Sequence, residues 1–123
     1  MYKELKVYQI AFEQAMSIFI ISKSFPKEEK YSLTDQVRRS SRSVCANIGE
    51  AYRKRQYKAH FVSKISDSDM ENTETQVWVD FAFKCNYISK DEYELLIHNT
   101  REIGKILYHM INNPEKFLPK SSK

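Results

Sequence analysis

Glycine, proline and cysteine are scarce in this chain of 123 residues. It contains only two glycines, three prolines and two cysteines. A β-rich fold needs many turn residues between its short strands, so this composition argues against one and predicts an all-α fold. A chain of this length forms one domain that is large enough to bury a core without disulfides or metal ions.

The two cysteines show no CxxC motif and no other spacing typical of metal ligands. Cys45 and Cys85 stand far apart in the sequence, and nothing else in the composition indicates an oxidising compartment. We expect both to be buried as small apolar residues.

Long apolar segments are also missing. The apolar run at residues 18–21 is too short to cross a bilayer. The N-terminus carries the charged residues Lys3, Glu4 and Lys6, and no signal peptide is visible there. We therefore expect a cytoplasmic protein that does not associate with membranes.

Motifs for catalysis and for cofactor binding are absent from the sequence. No Glu-x-x-His pair of the kind used by di-iron bundles occurs, and Glu94 with His98 lacks a second such pair, so we expect a solvated ion pair there. Residues 67–71 lack the glycine and the spacing of a calcium loop. Three serines have no histidine or lysine placed to activate them: Ser40, Ser41 and Ser43. The sequence predicts a protein that is not an enzyme, with no catalytic residue, no cofactor and no metal.

Apolar residues recur at helical spacing in four segments. The predicted helices cover about residues 3–24, 33–55, 58–85 and 90–112, and a flexible tail is expected over residues 114–123. Four helices of similar length with short links fold most simply as an up-down-up-down four-helix bundle.

Each predicted helix has an expected core-facing stripe. In the first helix it comprises Tyr8, Ala11, Phe12, Ala15, Ile18, Phe19 and Ser22, and in the second Val37, Ser41, Val44, Ile48 and Ala51. In the third helix it comprises Val62, Ile65, Ser66, Thr73, Val77 and Phe83, and in the fourth Leu96, Thr100, Ile103, Leu107 and Met110. Asp69, Gln76 and Asp80 fall close to the same side of the third helix. Because a buried carboxylate needs a partner, these three either reach basic or amide groups or lie at an edge of the bundle.

Two helix starts carry capping signals. Ser89 with Glu92 is a full capping box, whereas Ser32 with Asp35 is an approximate one, since Asp replaces the usual Glu or Gln.

Charge is segregated along the chain. Residues 34–64 hold eight basic and two acidic side chains, whereas residues 65–104 hold nine acidic and three basic ones. The two blocks therefore carry +6 and −6, although the whole chain carries only +4. Such segregation indicates a surface that meets a charged partner, either nucleic acid or another copy of the chain.

These charges fall on two helix faces. The arginine stripe of the second helix contains Arg38, Arg39, Arg42 and Arg53, with Ala46 and Gly49 between them, and lies opposite the apolar seam. The acidic-aromatic stripe of the third helix repeats at alternating spacings of four and three residues. It comprises Asp67, Glu71, Glu74, Trp78, Phe81 and Cys85.

Three interpretations of these faces are open. In the first, the stripes of neighbouring copies meet in a heterologous contact that can close into a ring. The interface residues are then Arg38, Arg39, Arg42, Gly49, Asp67, Glu71, Glu74, Trp78 and Phe81. In the second, a basic segment interleaved with tyrosine binds nucleic-acid phosphates. That segment comprises Arg53, Lys54, Arg55, Tyr57 and Lys58. In the third, both faces are solvated or pair within one bundle.

Several motifs resemble one protein family. Residues 25–33 (FPKEEKYSL), 36–40 (QVRRS), 43–50 (SVCANIGE) and 74–78 (ETQVW), followed by Tyr87 and Ile88, resemble the four-helix-bundle proteins encoded in 23S rRNA intervening sequences. The family signature falls on Arg38, Arg39, Asn47, Glu50, Arg53, Glu74 and Gln76. The chain departs from it at Ala51, where glycine is usual, and at residues 66–69 (SDSD), where the family has small apolar residues.

The resemblance implies an up-down bundle that assembles into a homopentameric ring. The family is similar to the accessory variability protein of diversity-generating retroelements, a basic pentameric barrel that binds nucleic acid and a reverse transcriptase. We therefore expect a non-enzymatic oligomer that binds RNA or a nucleoprotein complex through basic residues of the second helix. The alternative is a protein-interaction scaffold, in which the segregated charge serves self-assembly and docking to a protein partner.

Overall fold

Four antiparallel α-helices account for most of the computed structural model, which describes residues 1–120. They are α1 (Lys6–Ser22), α2 (Leu33–Arg53), α3 (Lys58–Lys84) and α4 (Lys90–Asn112). Short 3-10 turns precede α1 at Tyr2–Glu4, link α1 to α2 at Lys27–Glu29 and follow α4 at Pro114–Lys116. No β-strand occurs among residues 1–120, so the all-α prediction is confirmed.

The predicted helix bounds hold within two residues for α2, α3 and α4. Helix α1 is shorter than the predicted span of residues 3–24, because Leu5 adopts an extended conformation and separates α1 from the turn at Tyr2–Glu4. The prediction of a flexible tail over residues 114–123 is wrong at Phe117 and Leu118, which pack against the bundle. Phe117 stacks on Phe61 with 6.4 Å between ring centroids, and Leu118 is only 6% exposed. Residues 121–123 of that tail lie outside the described residues.

The two capping signals differ in outcome. Ser89 and Glu92 form the reciprocal bonds of a capping box at the start of α4, as predicted. The box predicted at Ser32 does not form, because the Ser32 hydroxyl donates to Oε1 of Glu29 at 2.6 Å. Glu29 also accepts from the hydroxyl of Tyr87 at 2.9 Å and so ties the α1–α2 link to the α3–α4 turn. These hydrogen bonds, that from Ser32 foremost, lower the pKa of Glu29.

Two apolar clusters fill the bundle, one toward each end. The basal cluster lies at the end that holds the first residues of the chain, the α2–α3 turn and the end of α4. It comprises Val7, Ala11, Val44, Cys45, Ile48, Ala51, Phe61, Ile65, Ile103, Leu107, Met110 and Leu118. The apical cluster lies at the opposite end and comprises Ile18, Leu33, Val37, Val79, Ala82, Ile88, Leu96 and Ile97.

A layer of buried polar side chains separates the two clusters. Its members are Gln14, Ser40, Ser41, Ser68, Asn72, Thr75 and Thr100. Nε2 of Gln14 donates to Oγ1 of Thr100 at 3.0 Å, and Nδ2 of Asn72 donates to the Thr100 carbonyl at 2.9 Å. Two hydroxyls of α3 donate to α2. That of Thr75 donates to Oγ of Ser40 at 2.8 Å, and that of Ser68 donates to the Val44 carbonyl at 2.8 Å. This polar layer joins all four helices.

The core stripes predicted for α2 and α4 are confirmed, since every residue named for them is buried. The stripe predicted for α3 is wrong at Thr73 and Val77, which are exposed. The observed α3 stripe is Phe61, Ile65, Ser68, Asn72, Thr75, Val79 and Ala82. Its middle consists of polar-layer residues, so a search for apolar periodicity passes over it.

Three further expectations need correction. Phe12, assigned to the α1 core stripe, is 50% exposed, while Val7 and Gln14 are buried instead. Cys85 is exposed, in contrast to Cys45, whose burial raises the pKa of its thiol to about 11. The predicted Glu94–His98 pair does not form. His98 instead lies 3.3 Å from Glu102, and Glu94 lies 3.9 Å from Lys90.

The three polar residues left open on α3 are half-buried. Asp80 accepts a hydrogen bond from the hydroxyl of Tyr93 at 2.8 Å, which supplies the expected partner. Asp69 has no hydrogen bond or ion pair among the described residues, and burial raises the pKa of its carboxyl. Asp69 and Gln76 therefore lie at an edge of the bundle.

Removing the Gln14 amide should destabilise the bundle. Gln14→Met keeps the length of the side chain but removes the Nε2 donor of the buried Leu96 carbonyl and Thr100 hydroxyl, at 2.9 and 3.0 Å. A buried polar group that loses its partner costs about 1–3 kcal/mol of unfolding free energy. Urea denaturation should show that loss, whereas the control Gln9→Met, on the exposed side of α1, should change stability by less than about 0.5 kcal/mol. Equal effects of the two variants would contradict a structural role for the polar layer.

Candidate functional site

Basic side chains converge at the basal end of the bundle. The antiparallel topology brings together residues 1–6, 50–64 and 109–120 there. These segments hold nine lysine or arginine residues and three carboxylates, a net charge of +6. The rest of the described chain holds ten basic and thirteen acidic side chains and carries −3. The molecule is therefore electrically polarised along its helix axes.

All five residues predicted to bind nucleic acid lie in the α2–α3 turn or at the helix ends beside it. Arg53 and Lys54 are exposed and form no ion pair within residues 1–120. The guanidinium of Arg55 lies 3.6 Å from the centroid of the Tyr52 ring, and its Nε donates to the Tyr52 carbonyl at 3.0 Å. Lys58 forms an ion pair with Glu115. The side chains of Arg55 and Lys58 are thus held by neighbouring groups, whereas those of Arg53 and Lys54 are free to contact a ligand.

Tyr57 adds an aromatic surface among these cations. Its side chain is 58% exposed and meets the ring of His60 edge-on, with 5.8 Å between centroids. An exposed ring beside cations can stack on an unpaired base while the cations contact phosphates.

The fold adds cations that the sequence prediction missed. Four exposed lysines come from the chain's two ends: Lys3, Lys6, Lys116 and Lys120. Residues 1–6 reach the α2 end directly, since the ring of Tyr2 lies 3.7 Å from the position that a Cβ on Gly49 would occupy. These lysines are distant from the basic segment in sequence, so only the topology of the bundle identifies them.

Part of the arginine stripe pairs within the chain. Arg39 contacts Glu71 at 3.4 Å and also forms a shorter ion pair with Glu74. Burial alone would raise the pKa of Glu74, but hydrogen bonds from Arg39 and from the indole of Trp78 outweigh it and lower that pKa. Arg39, Glu71 and Glu74 thus pair within one chain, which is the arrangement of the third interpretation.

Arg38 and Arg42 turn toward α1 instead. Nε of Arg38 donates to Oγ of Ser22 at 2.7 Å. The guanidinium groups of Arg38 and Arg42 lie 4.9 and 5.6 Å from the centroid of the Phe19 ring. Adjacent residues of a helix point about 100° apart, which separates Arg38 from Arg39.

An aromatic groove runs between α1 and α2, with a volume of about 610 Å³. Its lining comprises Tyr2, Tyr8, Phe12, Ala15, Met16, Arg42, Cys45, Ala46, Gly49, Glu50 and Arg53. The groove is apolar along α1 and carries two arginines along α2. Two predicted interface residues, Arg42 and Gly49, belong to it.

The remaining predicted interface residues lie on or beside the outer face of α3. Asp67 and Phe81 are exposed, whereas Trp78 is half-buried and its Nε1 donates to Glu74 at 3.2 Å. The rings of Trp78 and Phe81 lie 6.0 Å apart.

Metal clusters and membrane spans are both absent from residues 1–120. No group of three or more His, Cys, Asp or Glu side chains in residues 1–120 is arranged to hold a metal ion. None of the helices in that part of the chain is long and apolar enough to cross a membrane.

Comparison with known proteins identifies the relatives of this chain. A family model described as 23S rRNA-intervening sequence protein matches residues 3–109. The chain is also similar to a crystal structure from Bacteroides thetaiotaomicron, of a protein with unknown function from the S23 ribosomal protein family. The two share 31% identity with a TM-score of 0.78, over 85% of this chain and 97% of the other. No curated protein matches the chain.

The Arg39 ion pairs should contribute little to stability, and only above acidic pH. Arg39→Gln should lower the unfolding free energy by at most about 1 kcal/mol at pH 7, since the pairs are partly exposed. Because the folded-state pKa of Glu74 is depressed, the difference from wild type should shrink as pH falls through 4.5, the ordinary value of a glutamate. It should vanish once the carboxyl is protonated in both states.

Urea denaturation at several pH values measures this effect. Arg101→Gln, an exposed arginine of α4 without an ion pair in the described chain, is the matched control and should show no such pH dependence. A difference between Arg39→Gln and wild type that grows toward acidic pH would contradict the assignment.

Proposed function

Because the chain belongs to the family of 23S rRNA-intervening sequence proteins, we propose that it is a non-enzymatic RNA-binding protein that acts as an oligomer. In this proposal the basal end contacts the phosphates of RNA, or of a nucleic-acid-containing complex. The protein assembles as a homopentameric ring in the cytoplasm.

The charge of the basal end is the observation that carries this proposal. A net +6 on one end of a small bundle attracts a polyanion, and each phosphate that a lysine or arginine neutralises releases condensed counterions. Arg53 and Lys54 are free for such contacts, and the lysines from both chain ends widen the surface around them. Contacts of this kind supply affinity and orientation but little sequence specificity.

Assembly multiplies this charge. In a ring with cyclic symmetry all subunits are equivalent, so the five basal ends lie at one level along the axis. A single RNA that touches several subunits then binds more tightly than one subunit allows, since the later contacts are intramolecular. A modest charge of +4 per chain is thereby sufficient for strong binding.

A second candidate function is a protein-interaction scaffold. The observation that favours it is the apolar surface of α1, where Phe12, Met16 and Ile20 are 50%, 45% and 61% exposed. Charge reversal at Arg42 separates the two roles. If Arg42→Glu disrupts the oligomer while the subunits still bind RNA, that arginine belongs to a protein interface and not to the phosphate site.

Charge reversal at the α2–α3 turn should weaken RNA binding. Arg53→Glu combined with Arg55→Glu should reduce the affinity for a fluorescein-labelled RNA stem–loop by about tenfold or more near 0.1 M salt. The slope of log affinity against log salt should fall by about 2, one for each lost phosphate contact. Fluorescence anisotropy over a salt series measures both quantities.

Lys84→Glu with Lys90→Glu is the matched control. It makes the same charge change at the apical end, where both side chains are exposed, and should leave the affinity close to that of wild type. If both double variants lose affinity equally, net charge rather than the basal end determines binding. If wild-type binding does not respond to salt, the proposal fails.

A further inference from the structure

The outer face of α1 is too apolar for a surface that only meets water. Phe12, Met16 and Ile20 follow one another at intervals of four residues and so lie on one side of the helix. Each of the three is at least 45% exposed. Soluble monomers seldom leave such a contiguous apolar patch uncovered.

This face forms one wall of the aromatic groove, and the other wall sets the charge of its occupant. Arg42 and Arg53 stand on the α2 side, eleven residues apart, which is about 16 Å along a helix. The one carboxylate in the lining, Glu50, is already paired with Lys64 at 3.5 Å. The groove therefore suits a partner with an apolar ridge and acidic flanks.

Such a ridge exists on the same molecule. The apolar ridge of α3 consists of Met70, Thr73, Val77 and Phe81. Met70 is 69% exposed, Val77 42% and Phe81 54%. Met70 and Phe81 stand eleven positions apart, the same interval as between Arg42 and Arg53.

The flanks of the ridge carry the complementary charge. Asp67 and Asp69 precede Met70, and neither has an ion-pair partner within residues 1–120. Glu71 and Glu74, by contrast, are held by Arg39 of the same chain. The acidic groups of α3 that form no ion pair within residues 1–120 thus match the two arginines beside the groove, which form none there either.

We propose that the apolar ridge of α3 in a second copy of the chain docks into the aromatic groove between α1 and α2. The contact is heterologous, because groove and ridge are different surfaces of one subunit and no α3 residue lines the groove. This inference rests on the assembly part of the proposed function. The sequence prediction placed no residue of α1 in the interface, whereas this docking makes α1 the apolar wall of the groove.

Two single variants and their mixture test this docking. Phe12→Glu places a charge in the groove and leaves the ridge intact, whereas Val77→Glu does the reverse. Size-exclusion chromatography with light scattering should find an oligomer for the wild type and a monomer for each variant alone. A one-to-one mixture should form a heterodimer, because the intact groove of the Val77 variant accepts the intact ridge of the Phe12 variant. Circular dichroism checks that each variant is folded.

Every other outcome overturns the proposal. A wild-type monomer excludes the contact altogether. A variant that still assembles shows that its altered surface is not part of the contact. Two monomeric variants that fail to combine indicate that each surface contacts a copy of itself. The matched control Leu95→Glu alters an α4 residue with the same 50% exposure as Phe12 and should leave the oligomer intact.

RNA binding is measured on the same samples and separates this proposal from the previous one. Folded monomers of Phe12→Glu that keep salt-sensitive RNA binding support docking together with a basal phosphate site. If Phe12→Glu loses RNA binding while its mass stays that of the wild-type oligomer, the groove holds nucleic acid and not a second copy. Because Arg53 also lines the groove, Lys54→Glu, which lies outside the groove, tests the basal phosphate site separately. If Lys54→Glu does not affect RNA binding, the docking result is unchanged.

Discussion

The hydrogen bonds of the buried polar layer determine how the four helices can align. A buried amide or hydroxyl without a hydrogen-bond partner costs about 1–3 kcal/mol, which is a large part of the unfolding free energy of a small domain. The Gln14 amide reaches α4 and the Thr75 hydroxyl reaches α2 only when every helix is in its observed register. Apolar side chains alone would tolerate a slip by one helical turn, since leucine and isoleucine pack in many arrangements. The surface features described above depend on this register.

The basal end illustrates that dependence. Lys58 at the start of α3 forms an ion pair with Glu115 in the turn after α4, and Tyr2 in the turn before α1 covers Gly49 of α2. Both contacts require that the chain ends and the α2–α3 turn lie at one level. Residues from three distant parts of the sequence thereby become one cationic surface, while the carboxylates of α3 remain along its length. The segregation of charge along the sequence becomes a segregation of charge in space.

Much of the fold could be predicted because apolar periodicity and stop signals are strong in α2 and α4. The α3 stripe could not, because its centre consists of Ser68, Asn72 and Thr75, which are buried only by virtue of partners on other helices. The same reason explains the candidate site. The basic segment at Arg53 is continuous in sequence and was found, whereas Lys3 and Lys116 join it only through the topology. Whether Arg39 pairs inside the chain or between chains depends on which acidic side chains α3 presents to α2, and periodicity alone does not give that orientation.

The placement of both chain ends has a practical consequence for handling the protein. The first and last described residues, Met1 and Lys120, both lie beside the basal cations. A tag or fusion partner joined to the bundle through either of them can block a ligand there or repel it. The α3–α4 turn lies at the opposite end, and Asn86 there adopts a left-handed conformation with φ of 62° that ends α3. A fluorophore attached to the exposed thiol of Cys85, the residue before Asn86, would report on the molecule from the end opposite the basal cations.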